Sequence, residues 1–297
     1  MWSLMAVTLV LAAAEALVPG RLDKITDLGW SIHEDTVHWP NNKAFVYTNK
    51  IAEEKPDGKW YASNDYCSGE HLGTHLDAPY HFNKFGWKVG DIPLEKLIGK
   101  GICVNLQESS GAGTTLQPGH IDNWERRNGK IPKGSIVLIN FGWGARHYEH
   151  ESYMGLVNGT LHFPGVSASA AQMLVDRHIT GIGVDTASID PGTSTDFKAH
   201  RILLQANIYN MENLKIPLWM PEKGFNLVVM PINLRDGTGA PLRIFAVPNS
   251  ENVGLPTPEA LKDVVVSDCT PWYAHTWLVL LSLLVTVMYA VHGFSIY

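Results

Sequence analysis

The sequence contains no run of lysine or arginine, no glycine-rich phosphate loop and no internal repeat. With a formal net charge of −6, those absences argue against a nucleic-acid partner. Charged residues are sparse at 18%, while hydrophobic residues reach 45%, so most of the chain is not disordered. Cysteine is also scarce. The three present are an odd number, and spacing leaves open whether Cys67 and Cys103 pair or Cys103 is a buried free thiol in its apolar strand pattern. No Asp, Glu, Lys or Arg follows Asp268.

What the chain does have is a cluster of ligand-type side chains. His71-Leu-Gly-Thr-His75-Leu-Asp77-Ala-Pro-Tyr-His81 brings three imidazoles and a carboxylate into eleven residues. Neutral imidazole and ionised carboxylate suit zinc, manganese and iron. A divalent cation held there could polarise a carbonyl and acidify water. One histidine alone would read as a polar loop residue; four such side chains around Gly73 and Pro79 read as a metal site.

The spacing adds a constraint. All four positions differ by even numbers, so an extended chain sends them to one face. Full extension would hold His71 and His75 about 13 Å apart, too far to share an ion at ligand distances near 2 Å. The chain must therefore bend at Gly73, or residues 71–75 must form a helical turn that Pro79 stops. His81 is then either a further ligand or a free acid–base group.

The string 71–81 resembles the H-x-G-T-H-x-D-x-P-x-H signature of the metal-dependent cyclase family, which includes bacterial-type kynurenine formamidases and isatin hydrolases. The likeness extends over residues 27–40, 90–106, 163–192 and 196–214. It implies the cyclase-like swivelling β/β/α fold, an α/β single domain with a mixed sheet, usually oligomeric. It further implies two divalent ions per subunit, zinc or manganese. His71, His75 and Asp77 would hold one, and Asp77, His200 and Glu212 the other. His81 matches the residue thought to act as acid–base.

The residues near 200 agree locally. Phe197, Ile202, Leu203, Leu204 and Ala206 follow a helical rhythm, and 208–212 alternates as a following strand would. Alone, His200 would read as a core histidine and Glu212 as a surface acid. Asp185, Ser188 and Asp190 read as turn and capping residues, with Ser188 also within possible reach of the site.

Extended runs are expected at 101–106, 135–140, 181–185, 227–234 and 241–247. Helices are expected at 167–178, with Ser167 as N-cap, and at 197–206. Strands outnumber helices, which predicts a mixed α/β domain.

The ends bear on location. Leu4–Ala14 is apolar and Ala14-Glu15-Ala16 offers a cleavage site, so residues 1–16 read as a signal peptide and 17–248 as the hydrolase domain. Residues 249–268 read as a linker, and 269–297 as a hydrophobic anchor. Its apolar stretch, Trp277–Val291, is short for a spanning helix of about 20 residues. Its lack of a basic flank leaves a GPI signal or a single membrane span, either placing the protein outside the cytosol. Asn158-Gly-Thr160 is then a glycosylation acceptor.

Two function classes follow. The resemblance implies hydrolysis of a small-molecule formamide or lactam, with N-formylkynurenine the archetypal substrate and another lactam, lactone or ester as the alternative. Trp39, Tyr66, Tyr80, Phe82, Phe85 and Trp87 would suit an aryl group, although most are expected to be core packing. The other class is an anchored binding module that kept the fold and lost turnover.

Overall fold

The computed structural model describes Leu22 and residues 24–249. Both apolar ends, and the signal, linker and anchor read from them, lie outside these residues. No helix among the described residues is long and apolar enough to cross a membrane.

Among the described residues there are twelve strands: β1 Thr26–Asp27, β2 Val46–Glu54, β3 Trp60–Cys67, β4 His75–Asp77, β5 Ile98–Asn105, β6 Thr115–Leu116, β7 Ile136–Asn140, β8 Gly165–Val166, β9 Gly181–Val184, β10 Tyr209–Glu212, β11 Phe225–Pro231 and β12 Gly239–Pro248. The helices are α1 Pro118–Asn128, α2 His150–Met154, α3 Ala168–Asp176 and α4 Lys198–Gln205. Each expected run has its counterpart, within a few residues at its ends. Ser167 caps α3 by accepting from Ala170 N at 3.2 Å.

The main sheet runs β1-β12-β11-β5-β7-β9-β10-β4, and β4 returns to pair with β12, closing seven strands into a barrel. The segment β5-β7-β9-β10 is parallel, whereas every pairing through β4, β11 and β12 is antiparallel. This is the mixed α/β domain the pattern predicts. β7, Ile-Val-Leu-Ile-Asn, is buried throughout because a central parallel strand is covered on both faces.

Alternation along the strands builds two cores. Leu76, Cys103, Leu138, Met211, Leu227 and Ile244 fill the barrel. Val104, Val137, Ile139, Ile182 and Val184 face outward beneath Trp124 of α1, Leu174 of α3 and Leu203 of α4. Cys103 is a free thiol whose titration burial pushes up, and Cys67 is likewise unpaired.

β2 and β3 form a separate hairpin with nearly every side chain exposed, and no extended run is expected there from the sequence pattern. Its turn follows Lys55-Pro-Asp-Gly-Lys59, with Gly58 at φ +77°.

Candidate metal centre

The site is built on the strand that closes the barrel. β4 has only three residues: Leu76 points into the barrel, so His75 and Asp77 share the opposite face. Across β10, His75 sits opposite Glu212; across β12, Asp77 sits opposite Gly239. Strand pairing alone thus sets His75, Asp77 and Glu212 together.

Gly73 makes the expected bend, at φ +56°, where a Cβ would come within 2.7 Å of Thr36 Cγ2. No helical turn forms over 71–75. The reversal brings His71 back so that Nδ1 lies 2.7 Å from Asp77 Oδ1. Pro79 does not end a helix; it opens a 3-10 turn, Pro79–His81, because its missing N–H costs nothing at a first helical position. That turn sets the His81 ring 4.1 Å from the His71 ring, at the solvent-exposed mouth of the site.

α4 supplies His200 from above. Its Nε2 lies 3.2 Å from Asp77 Oδ2 and 3.1 Å from Glu212 Oε1. Asp190 caps the helix, accepting from Ala199 N at 2.9 Å and His200 N at 3.0 Å. The same carboxylate accepts from His200 Nδ1 at 2.7 Å. Asp190 therefore performs the capping expected of it and also aims an imidazole, which the sequence reading missed. Phe197, just before α4, is held at φ +50°, unusual for a bulky residue, with its ring on the site wall.

All six residues expected from the sequence line one cavity of about 250 Å³. Donor atoms of His71, Asp77 and His81 lie within 4.8 Å of one another, and so do those of His75, Asp77 and Glu212. Asp77 belongs to both groups. Ser188 reaches the same cavity, whereas Asp185 does not: its carboxyl caps Phe141 N and Gly144 N at 2.9 and 3.1 Å, and burial pushes it up to about 6.

The electrostatics call for positive charge. Burial alone would depress His75, yet Asp77 and Glu212 raise it to about 9. His200 is likewise raised despite burial, through Asp190, Asp77 and Glu212. Burial would raise Asp77, but the imidazoles of His200, His71 and His75 close around it hold it well below the ordinary carboxylate value. His75 Nε2 and Asp77 Oδ2 are buried without a hydrogen-bond partner. Buried imidazole and carboxylate atoms converging in this way fit a divalent cation, which meets the same electrostatic demand as protons on the imidazoles.

Of the aromatics singled out in the sequence, only Trp39 and Phe82 line the cavity, joined by Phe197. Trp87 packs against the barrel core. Tyr66, Tyr80 and Phe85 are exposed, Phe85 by 89%, so they are neither wall nor core packing.

Comparison with known proteins accords with this geometry. The putative cyclase family model matches residues 26–191, which include the histidine motif and Asp190 but stop short of His200 and Glu212. An isatin hydrolase of Roseibium aggregatum is 28% identical over 221 residues, covering 69% of this chain and 82% of the relative. A kynurenine formamidase of Bacillus anthracis is 24% identical over 224 residues, 75% of this chain and 97% of the relative. Among solved structures, isatin hydrolase A from Labrenzia aggregata bound to benzyl benzoate aligns with a TM-score of 0.70 at 26% identity, over 83% of this chain and all of that one. These relatives are hydrolases, and their shared architecture is the cyclase-like fold expected from the sequence. With the family model spanning more than half of its length, the chain belongs to the putative cyclase family.

Proposed function

We propose that this protein is a metal-dependent hydrolase of aryl formamides, with N-formylkynurenine, cleaved to kynurenine and formate, as the leading substrate. The observation that carries the reading is the position of Asp77. Its Oδ1 faces His71 and His75, and its Oδ2 faces His200, so one carboxylate joins two donor sets. His71, His75, Asp77, His200 and Glu212 would hold two ions, zinc or manganese, with Asp77 shared. When bound, such ions polarise a substrate carbonyl and acidify nearby water.

The remaining work falls to the chain itself. Trp39, Phe82 and Phe197 form an apolar wall against which an aryl ring can stack. His81 stands at the mouth, where desolvation by the crowded site holds its pKa below the ordinary histidine value. It is therefore neutral at pH 7 and available to take a proton from attacking water and deliver it to the leaving nitrogen. Ser188 offers a hydroxyl to an oxygen of the substrate.

A second reading, ring opening of a lactam, draws support from the isatin hydrolase likeness, at 28% identity against 24% for the formamidase. Both readings are tested by elemental analysis of purified protein and by turnover of N-formylkynurenine and isatin with zinc or manganese added back. Asp77→Ala should lower metal content and abolish turnover. Protein that holds no divalent metal, or metal-loaded protein inert on both substrates, would remove the hydrolase reading and leave the binding module.

A further inference from the structure

We propose that Glu70 and Thr238 lock the proton of His71 onto Nε2, so that His71 faces the metal centre through Nδ1 whereas His75 and His200 face it through Nε2. The inference rests on the metal reading above and deepens it by naming two positioning residues.

A threonine hydroxyl has one hydrogen to give. Thr238 Oγ1 lies 2.6 Å from Glu70 Oε2 and 2.9 Å from His71 Nε2. Glu70 Oε2 also accepts from Thr238 N at 2.8 Å and Gly239 N at 3.3 Å. An oxygen gathering three donors is acting as a carboxylate acceptor, so the hydroxyl hydrogen points to Glu70. Thr238 Oγ1 is then left to accept, and His71 Nε2 must carry the hydrogen between them. In the neutral ring that binds a metal, Nδ1 then keeps its lone pair, 2.7 Å from Asp77 Oδ1. Two electron-rich atoms at that distance call for a cation against both or, without one, for a second proton on the ring.

The alternative tautomer would place the hydrogen on Nδ1 toward Asp77. Nε2 would then need a donor, and Thr238 could provide one only by abandoning Glu70. The other two imidazoles are held the opposite way. His75 Nδ1 donates to Gly73 O at 2.9 Å, and His200 Nδ1 donates to Asp190 at 2.7 Å. Each leaves Nε2 for the site. The His71 ring is also seated against the start of β12: a Cβ on Gly239 would come within 2.6 Å of its Cε1.

The test uses zinc-loaded protein labelled with nitrogen-15 in its histidine rings. Two-bond proton–nitrogen correlations separate the ring nitrogens and report which is protonated and which is bound. One imidazole should show a protonated Nε2 and a zinc-bound Nδ1, and its signals should be those shifted by Thr238→Val. Zinc affinity should fall about 10–100-fold in Thr238→Val, the usual effect of losing a partner that orients a ligand, and return in Thr238→Ser. If His71 binds zinc through Nε2, or Thr238→Val retains wild-type affinity, the inference is overturned while the metal reading survives. Wild-type protein that takes up no zinc overturns both.

Discussion

Asp190 grips His200 twice, taking its ring Nδ1 hydrogen at 2.7 Å and its backbone N–H at 3.0 Å. One side chain thus starts helix α4 and aims the imidazole that the helix carries. Asp190→Asn keeps an oxygen for the cap but gives up the charge that sets the ring. Zinc affinity should drop about 10–100-fold, the usual effect of losing an orienting partner. Stability without metal should fall by only about 1 kcal/mol, the scale of a cap. Zinc titration calorimetry and thermal melts in chelator measure the two; unchanged affinity would confine Asp190 to capping.

His81→Ala separates proton transfer from metal binding. General acid–base assistance contributes about 10²–10⁴-fold, so turnover on a formamide should fall by that order while metal content stays near wild type. Activated aryl esters should lose less, because their leaving groups need little protonation. Because the donor atoms of His81, His71 and Asp77 cluster, the metal assay is decisive: an emptied site would make His81 a ligand.

Glu125 sets a pH dependence remote from the site. Arg177 clasps its two oxygens at 2.7 and 2.9 Å, and Lys130 and Ile131 N add further bonds. Arg177, against the opposing effect of burial, lowers the carboxyl from 4.5 to about 2. Because the folded value is the lower one, the stabilisation is complete above the unfolded value and is lost as pH falls from 4.5 through about 2. Glu125→Gln should cost about 2 kcal/mol at pH 7, the scale of charged hydrogen bonds. Urea melts from pH 7 to pH 3 should show the wild-type advantage shrinking only below about 5; a constant difference would deny Glu125 its ionic role.

We propose from the apolar ends of the sequence that the protein is exofacial, and cell fractionation tests this directly. Full-length chain should appear at the cell surface. Release by phosphatidylinositol-specific phospholipase would identify a GPI anchor, and retention in membranes a spanning tail. A cytosolic distribution would count against both.

Much of the candidate site was legible because its residues lie close together in sequence. His71, His75, Asp77 and His81 share one segment, and His200 and Glu212 sit on a helix and strand whose rhythm is visible. Glu70 and Thr238 were not legible as a pair, since 168 positions separate them and only the fold brings them together. Asp190 looked like a cap because capping and aiming use the same carboxylate. Phe197 gave no sign that it would occupy the left-handed region, a cost imposed by tertiary packing. The β2–β3 hairpin carries a clear Pro-Asp-Gly turn, but its flanks mix Lys50, Glu53 and Asn64 with aromatics and present no apolar face to read.

Barrel closure has a kinetic consequence. β4 spans three residues, yet it joins β10 to β12 and carries His75 and Asp77. The closing seam of the sheet and two of the proposed ligands are therefore one segment. A transient unzipping of β4 would breach the barrel and scatter the donors in the same event. The rate at which a chelator strips the ion should then follow amide-hydrogen exchange in β4, making the lifetime of the holoprotein a readout of how often its barrel opens.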